Sequence, residues 1–436
     1  MTHFGLLCPA TTGHLNTMLP LGQELQRRGH RVTLFGVLDV QARVLAAGLD
    51  FWAIGIAEFP LGAMECFWTQ LAKLRGLAAF EYTLKFRQQI WAAVLLRDAL
   101  GAVKAAGVDA LLIDQVVSGS GAIAEILEIP FITICSALPM NQEDGVPPFF
   151  TAWNYHPTFW ACLRNRAGYS LLERYRRMVH QAVDEYRRAW KLTPYQHLDD
   201  SFSKLAQLSQ QPAEFEFPRQ HLPAWFHFTG PYHNLASRGS LSFPFEKLTD
   251  QPLVYASMGT LRNRSQKVFW QIAEACQGLK VQLVISLGGG CSPESLPDLP
   301  GNPVVVSYAP QLELLQKATL TITHAGLNTT LESLRAGVPM VAIPITDDQP
   351  GVGARLQWTG AGEVVPKNHL SVPRLRTAIE RVLNDESYRQ HAIRLQAAIA
   401  RSGGVIQAAN IVEQAIATGK PVFTSHQTEP NHAFNH

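Results

Sequence analysis

Residues 2–36 read THFGLLCPATTGHLNTMLPLGQELQRRGHRVTLFG, and this stretch decides the fold. Two short apolar runs, residues 3–8 and 31–36, have the length of buried strands, and residues 14–28 between them carry leucine and methionine along one side of a helix. The same unit recurs over residues 110–134. Strands that alternate with helices in this way pair in parallel, so the sequence predicts a doubly wound α/β sheet.

A second series of strands and helices follows residue 252. Its apolar runs lie at residues 253–257, 281–287, 304–306, 320–323 and 340–343. Aromatic-rich residues 139–223, with a helix over 170–191, separate the two series, and a segment punctuated by Ser, Pro and Gly reads as a linker. We therefore predict an N-terminal domain over residues 1–233, a linker over 234–251, a C-terminal domain over 252–400, a helix over 401–420 that packs back toward the N-terminal domain, and a disordered tail over 421–436.

The composition excludes several classes of protein. The chain has 436 residues, with 37 lysine and arginine residues against 35 aspartate and glutamate residues, and a net charge of +2 gives no electrostatic reason to expect a nucleic-acid partner. Its six cysteines form no C-x-x-C pair, which disfavours a disulfide scaffold or a zinc ribbon. There is no apolar run of about 18 residues and no positively charged leader before the first strand. We expect a cytoplasmic protein without a transmembrane segment.

Two motifs that suggest other chemistry are better explained by packing or solvation. Residues 119–124 fit the G-x-G-x-x-A form of a dinucleotide-binding turn, but the next strand ends at Cys135 without an acidic residue to hold a ribose. We interpret those glycines as spacers for close helix–strand packing, and the three glycines at 288–290 as a loop. Asp347 and Asp348 resemble a metal pair, but adjacent aspartates on a loop are usually solvated, so no metal site is predicted.

The strongest signal lies between residues 308 and 355. His324 ends a strand, Gly326 permits a close approach of the backbone, and Asn328 and Thr329 begin a helix. A helix N-terminus has free N–H groups, and hydroxyl, amide and imidazole groups beside it make an anion-binding site.

Further polar residues indicate what the anion is attached to. Glu332 lies four residues after Asn328, so both side chains share one helical face, and the carboxylate can accept hydrogen bonds from a ribose diol. Asp348 and Gln349, at the end of the next strand, can bind sugar hydroxyls. Together these residues indicate a nucleoside diphosphate with a sugar attached.

This stretch closely resembles the nucleotide-sugar signature of the UDP-glycosyltransferases of plants, animals and bacteria, which have the two-domain GT-B fold. The loop from Ser257 through Gly259 to Thr260 resembles the S-x-G-[ST] segment that also approaches the phosphates in that family. The resemblance implies a role for each matching residue: Tyr308 stacks on the base, Gln311 contacts the nucleoside, His324, Gly326, Asn328 and Thr329 hold the diphosphate, Glu332 holds the ribose, and Asp348 and Gln349 read the transferred sugar.

The signature departs from the plant pattern at three positions. Tyr308 replaces a Trp, Leu327 replaces the Trp before the Asn, and Thr329 replaces a Ser. Tyrosine still offers a ring for stacking, but the change leaves the choice between uracil and thymine open. Because the family often pairs a glutamine such as Gln349 with glucose, the expected donor is UDP-glucose.

The N-terminal domain supplies a candidate base. His14 lies between the first strand and its helix, at the sheet edge where open α/β folds bind ligands, and the helix dipole disfavours its cation. Residues 11–20 resemble the family's G-H-x-x-P segment in a slightly longer form. Asp114 ends a strand at the same edge and matches the Asp that hydrogen-bonds the catalytic His in that family. Asp39 and Glu143 are alternative partners.

The resemblance implies an inverting, metal-independent glycosyltransferase that uses a nucleotide sugar and no other cofactor. Two aromatic inserts, residues 59–91 and 139–160, are expected to face the cleft and to bury an apolar acceptor, for which macrolides, flavonoids, sterols and carotenoids all fit. Two other functions suit the same fold. A non-catalytic nucleotide-binding partner protein would not need the His14–Asp114 pair, and a nucleotide-sugar epimerase would need carboxylates where the acceptor pocket lies.

Overall fold

The computed structural model describes residues 1–74, 76–179, 181–232, 241–260 and 266–424. Residues 234–240 of the predicted linker and 425–436 of the predicted tail lie outside the described residues. Over the described ranges the strands form two sheets, and neighbouring strands in both are parallel. No helix in this part of the chain is long and apolar enough to cross a membrane.

The first sheet has the strand order β3-β2-β1-β4-β5-β6-β7. The order runs outward in both directions from β1 and β4, so the gap between these strands is the switch point at which doubly wound sheets bind ligands. The elements of this domain are β1 (His3–Leu7), α1 (Thr12–Arg27), β2 (Arg31–Gly36), α2 (Gln41–Ala46), β3 (Asp50–Ala53), α3 (Ala63–Lys73), α4 (Gly76–Gln89), a π-helical stretch (Ile90–Asp98), α5 (Ala99–Ala106), β4 (Ala110–Asp114), α6 (Gly121–Leu127), β5 (Phe131–Cys135), α7 (Phe159–Val179), α8 (Gln181–Ala189), β6 (Gln207–Ser209) and β7 (Phe226–Phe228).

The second sheet has the order β10-β9-β8-β11-β12-β13, with its switch point between β8 and β11. The turns that follow these two strands therefore meet at one edge. The elements are β8 (Leu253–Ser257), α9 (Gln266–Cys276), β9 (Gln282–Ser286), β10 (Val304–Val306), α10 (Gln311–Leu315), β11 (Ala318–Thr323), α11 (Leu327–Arg335), β12 (Met340–Ala342), α12 (Gln349–Trp358), β13 (Gly362–Val364), α13 (Val372–Asn384), α14 (Glu386–Arg401) and α15 (Gly404–Thr418).

The central strands are covered on both faces. Every residue of β1, β4 and β8 is buried, as expected for parallel strands that lie between two layers of helices. In the first domain, α1 packs on one face of the sheet, and the other face packs on α5 and α6. This rigid core fixes the turns at the carboxyl ends of the strands, where the functional residues lie.

The last helix, α15, leaves the second sheet and lies on α1 of the first domain. Its apolar residues, including Ala408 and Ile411, are part of the same core as the strands β1 and β2. The carboxylate of Glu413 accepts hydrogen bonds from Arg28 at 2.6 Å and pairs with His30 at 2.9 Å. The chain therefore crosses between the two sheets twice.

Three features differ from the sequence predictions. The helix expected over residues 170–191 begins at Phe159 and is two helices, α7 and α8. The short strands β3, β6 and β13 were not predicted. The tail was predicted to be disordered from residue 421, but Val422 is buried and its N–H donates to the Leu205 carbonyl at 2.9 Å. The start of the predicted tail is therefore too early.

Candidate active site between the two sheets

A cleft of about 870 Å³ separates the two sheets. The carboxyl ends of β1 and of β8 and β11 face it from opposite sides, so both switch points open into one space. The structure brings together here the candidate base and every residue predicted to bind the donor: His14, Ser257, Gly259, Thr260, Tyr308, Gln311, His324, Gly326, Asn328, Thr329, Glu332, Asp348 and Gln349. Asp114 does not line the cleft and lies fully buried behind His14.

His14 and Asp114 form a hydrogen-bonded pair. His14 lies in the first turn of α1, and its Nδ1 is 2.7 Å from Oδ2 of Asp114, the last residue of β4. A carboxylate only accepts hydrogen bonds, so Nδ1 carries the proton and the lone pair is on Nε2. The other carboxylate oxygen of Asp114 accepts from the Val116 N–H at 2.9 Å, which fixes its orientation.

The alternative partners for His14 are engaged elsewhere. The carboxylate of Asp39 accepts a hydrogen bond from the backbone of Gly62 at 3.1 Å. That of Glu143 accepts from the backbone of Gln220 at 2.7 Å. Asp114 is thus the carboxylate that forms a hydrogen bond with the imidazole ring of His14.

The pKa of His14 lies above its usual value. Burial of the ring disfavours the cation, but the hydrogen-bonded carboxylate of Asp114, together with Asp348 and Asp347 across the cleft, outweighs burial. The sequence argument considered only the helix dipole and so expected a neutral ring. With Asp114 in contact, His14 is a stronger base than an isolated histidine.

His324 lies between two glycine turns at the start of α11. A Cβ atom added at either Gly259 or Gly326 would collide with the ring, so both positions need glycine to admit it. Burial lowers the pKa of His324 to about 4, although a hydrogen bond with the Ser257 backbone acts against this shift. The ring is therefore neutral at pH 7 and has a single N–H, which the Ser257 carbonyl accepts. The free N–H groups of the helix N-terminus beside it can bind an anion.

Asn328 connects the two domains. Its side-chain nitrogen donates to the Gly13 carbonyl at 2.7 Å, and its side-chain oxygen accepts from Nε2 of Gln210 at 2.9 Å. Gln210 is fully buried after β6 and also donates to the Ser136 carbonyl. The sequence did not single out Gln210, because a buried amide far along the chain gives no motif.

The part of the cleft predicted to hold the nucleoside contains Gln311 and Glu332. The Nε2 of Gln311 donates to the buried carboxylate of Glu332, and its oxygen accepts from the hydroxyl of Tyr255 at 3.0 Å. These contacts hold Glu332 in the wall of the cleft. Tyr255 lies inside a strand and was not predicted as a site residue.

Tyr308 is half-exposed, and its ring lies on the glycine loop after β9. Gly289 in that loop has φ of +76°, and a Cβ atom there would overlap the hydroxyl of Tyr308. Gly289, part of the glycine run that the sequence analysis interpreted only as a loop, therefore lies against the ring predicted to stack on the base.

Asp348 and Gln349 lie at the N-terminus of α12. Burial, together with the neighbouring Asp347, raises the pKa of Asp348 to about 6, while a hydrogen bond from the Leu138 N–H opposes the shift. The side-chain oxygen of Gln349 accepts from the backbone of Ile345 and Thr346 at 2.9 and 3.0 Å. The side-chain carbonyl of Gln349 is thus used to hold the loop before α12. The side-chain NH₂ group of Gln349 is the part that can donate a hydrogen bond to a sugar.

The side of the cleft predicted to take the acceptor carries aromatic residues. Phe67, Trp68 and Phe86 line it, and the rings of Phe67 and Phe86 stack with centroids 3.6 Å apart. These residues belong to the predicted insert 59–91, in which the side chain of Trp91 lies outside the described residues. Arg87 also lines this wall and lies 3.9 Å from the carboxylate of Asp347.

The prediction that residues 139–160 face the cleft is wrong. Tyr155 packs on Phe217 and Trp358, with ring centroids 5.7 and 5.2 Å apart, and the Phe149 backbone lies against Gly351 of α12. This insert therefore covers the contact between the two domains on the side away from the cleft lining. Aromatic residues predict burial, but they do not predict which surface they cover.

A buried ion pair at that contact was also not predicted. Glu216 of the first domain accepts from Nε of Arg355 on α12 at 2.8 Å, and neither residue is exposed by more than a few per cent. The guanidinium of Arg355 also lies over the ring of Phe217, 4.4 Å from its centroid. The pair helps to hold the two domains, and so the two walls of the cleft, in a fixed relative position.

The glycines at 119–124 serve packing. Gly121 begins α6, and a Cβ atom there would lie 3.1 Å from the ring of Phe131 and 3.3 Å from the Ser201 carbonyl. This tight contact is the helix–strand spacing that the sequence suggested in place of a dinucleotide site.

Comparison with solved structures gives the class of the fold. The calicheamicin glycosyltransferase CalG4 is similar over 97% of this chain and 100% of its own, with a TM-score of 0.73 and 23% identity. The predicted GT-B fold, two Rossmann-like domains facing across a cleft, is confirmed.

The family follows from sequence comparison. Residues 61–400 match the family described as UDP-glucoronosyl and UDP-glucosyl transferase, so the chain belongs to this family and is a hexosyltransferase, as predicted. It is 30% identical over 431 residues to a zeaxanthin glucosyltransferase of Pantoea ananas, which covers 97% of this chain and 98% of that protein. A zeaxanthin glucosyltransferase of Pseudescherichia vulneris is also 30% identical, over 425 residues, with 97% and 100% covered.

Proposed function

We propose that this chain transfers glucose from UDP-glucose to a hydroxyl group of an apolar small molecule, with inversion at the anomeric carbon and without a metal ion. The observation that carries the proposal is the His14–Asp114 pair, 2.7 Å from Nδ1 to Oδ2, on the wall of the cleft opposite the nucleotide-sugar signature. A base on one side and a diphosphate site on the other is the arrangement that a single displacement requires.

The base acts through Nε2 of His14. Asp114 holds the proton on Nδ1, so Nε2 can take the proton of an acceptor hydroxyl, and the buried carboxylate stabilises the imidazolium that forms. The acceptor oxygen forms its bond to the anomeric carbon while the bond from that carbon to the diphosphate oxygen breaks. UDP leaves with the electron pair, and one displacement inverts the carbon.

The leaving diphosphate is stabilised by fixed hydrogen-bond donors. His324 lies beside this site and is neutral at pH 7 because burial lowers its pKa to about 4, so it adds no charge of its own. The N-terminus of α11 beside it adds backbone N–H groups and the positive end of the helix dipole. Donors aimed at developing charge are the reason we propose that no metal ion is needed.

The acceptor class rests on two supports. Phe67, Trp68 and Phe86 belong to the same domain as His14 and offer aromatic surface on the wall of the same cleft. Two relatives that are 30% identical are named zeaxanthin glucosyltransferases, and zeaxanthin is a long apolar molecule with hydroxyl groups. A hydroxylated carotenoid is therefore the first acceptor to test.

The decisive experiment combines the purified chain with UDP-glucose, a detergent-dispersed hydroxycarotenoid and EDTA. We expect a β-glucoside. The coupling constant between the protons on C1 and C2 of the transferred glucose identifies the anomer. An α-glucoside, or a reaction that EDTA abolishes, would contradict the proposal. UDP-galactose and TDP-glucose, offered in parallel, test the choice of sugar and base.

Thermal unfolding separates the remaining alternatives. A ligand at about a hundredfold over its dissociation constant adds roughly 2.7 kcal/mol to the free energy of unfolding. Stabilisation by UDP species without transfer to any acceptor would favour a non-catalytic partner. A change in the donor sugar without an acceptor would favour an epimerase. Stabilisation by NAD alone would instead favour residues 119–124 as a dinucleotide-binding turn.

A further inference from the structure

The outer side of α7 exposes an unusual row of apolar side chains. The helix has 21 residues and is therefore about 31 Å long. Phe159 and Trp160, at its start, are 70% and 76% exposed, and Leu171 is 63% exposed. Single exposed apolar residues are common, but a row along one helix indicates an interaction surface. The large apolar side chains of this row are Phe159, Trp160, Leu163, Leu171 and Met178.

The charges on the same side of α7 are all positive. Arg166, Arg174 and Arg177 are exposed, and Arg166 pairs with Asp144 at 2.6 Å. Arg174 and Arg177 make no ion pair within the described residues. The one acidic residue of α7, Glu173, points inward and pairs with Arg176.

The position of α7 relates this surface to the cleft. The helix packs against α4, whose residues Thr83, Phe86 and Arg87 line the cleft on the acceptor side. The row of apolar and basic residues therefore lies on the outside of the helical layer whose inside forms the acceptor wall.

We propose that this α7 face, defined as Phe159, Trp160, Leu163, Leu171, Met178, Arg174 and Arg177, rests on the surface of an anionic lipid bilayer. Aromatic and aliphatic side chains beside arginines, with no exposed acidic residue on the helix itself, are the composition of a helix that lies in the headgroup region. The long arginine side chains can reach the lipid phosphates while the rings insert between them.

Charge decides between a bilayer and a second copy of the chain. A twofold dimer through this face would bring the Arg174 and Arg177 side chains of two copies together, and like charges at an interface cost affinity. An anionic surface instead pairs with them. The proposal is independent of the identity of the sugar donor, although a bilayer is also where an apolar acceptor would be dissolved.

The test is flotation of the purified chain with vesicles of equal parts phosphatidylcholine and phosphatidylglycerol, and with vesicles of phosphatidylcholine alone. We expect binding to the anionic vesicles that weakens with added salt. Replacing Arg174 and Arg177 with Gln should weaken it roughly 25-fold, since each basic residue near such a surface contributes about fivefold. Replacing Phe159 and Trp160 with Ser should weaken it at least about tenfold.

Matched variants control for net charge and for exposed apolar area. Arg389→Gln with Arg394→Gln removes the same charge from the exposed side of α14, and Ile406→Ser removes an exposed apolar side chain from α15. Both should bind vesicles as the unchanged chain does. An unchanged thermal midpoint and unchanged stabilisation by UDP show that every variant is folded.

Three outcomes would overturn the proposal. The chain could fail to bind anionic vesicles, or bind neutral and anionic vesicles equally, or lose binding as much in the α14 control as in the α7 variant. Self-association that Phe159→Ser with Trp160→Ser abolishes, without any vesicle binding, would assign the face to a dimer instead.

Discussion

The side-chain nitrogen of Asn328 donates a hydrogen bond of 2.7 Å to the carbonyl oxygen of Gly13, the residue before the candidate base. Asn328 belongs to the second sheet's α11, and Gly13 belongs to the first turn of α1. Its side-chain oxygen accepts from Gln210 of the first domain at 2.9 Å. One amide thus ties the predicted diphosphate site to the turn that carries His14.

Asn328→Ala should therefore lower both stability and turnover. We expect the free energy of unfolding to fall by about 1–3 kcal/mol, because the Gly13 carbonyl and the Gln210 amide lose a buried partner. Gln210→Ala removes one of these two bonds and also the bond to the Ser136 carbonyl, so its cost should fall in the same range. Since the variants share a bond, the loss in the double variant, measured by urea unfolding, should be smaller than the sum. Additive losses would show that the bridge does not act as a unit.

Removal of His14 and removal of His324 should have different kinetic signatures. His14→Ala should lower kcat by about 10²–10⁴-fold, the range of general-base catalysis, while the dissociation constant of UDP stays the same. His324→Ala should weaken UDP binding as well, since the ring lies at the predicted diphosphate site. Steady-state kinetics and calorimetric titration with UDP measure the two quantities. Near-normal turnover in His14→Ala would remove it as the base.

The pH dependence of kcat/KM should report the His14–Asp114 pair. Protonated His14 cannot accept a proton, so kcat/KM should fall about tenfold per pH unit below its pKa, which Asp114 holds above 6.5. Asp114→Asn removes the charge, so the acidic limb should move to lower pH while the plateau also drops. Asp348, with a pKa of about 6, titrates nearby, and Asp348→Asn should move the limb less than Asp114→Asn. The opposite order would assign the limb to Asp348.

Gly289→Ala should weaken nucleotide binding through Tyr308. The added methyl group would overlap the Tyr308 hydroxyl, so the Tyr308 ring must move away from the loop. If the ring then no longer stacks on the base, the affinity for UDP should fall roughly 5- to 100-fold. Gly278→Ala is a matched control, because φ there is +80° and no atom lies within 4 Å. It should cost about 1 kcal/mol of stability through backbone strain and leave UDP binding unchanged. Equal loss of affinity in both would refute the contact.

The Glu216–Arg355 pair should be costly to break. Glu216→Gln leaves the buried guanidinium without its charged partner, and we expect a loss of about 3–5 kcal/mol in the free energy of unfolding. The half-exposed pair of Arg31 and Asp50, 3.0 Å apart, is the comparison. Asp50→Asn should cost about 0–1 kcal/mol in the same urea titration. A small loss in Glu216→Gln would mean that water reaches the contact.

The long central strands could be predicted because a parallel strand buried on both faces must be almost continuously apolar, as β1 and β8 are. β6 could not, because it consists of Gln207, Leu208 and Ser209 and is nevertheless buried. The amide of Gln207 bonds to the Ser203 carbonyl and to Asn141. Such hydrogen-bond partners allow polar side chains to lie in a core, but no local sequence pattern predicts them.

The same distinction applies to the site. His14 and His324 could be found because each lies where a strand ends and a helix begins, which places it at the ligand-binding edge. The contacts between the domains join residues far apart in the chain, 315 positions for Asn328 with Gly13 and 139 for Arg355 with Glu216. A single sequence carries no signal for such a pairing.

The return of α15 to α1 has a consequence for how the molecule is made. The ribosome releases the first sheet before the second, and the helix that covers α1 is released after both. The second domain can complete its own core during synthesis, whereas the first must wait with Leu25 and its neighbours uncovered. The earliest residues of the nascent chain therefore remain incompletely packed longest, and folding ends when the final helix docks.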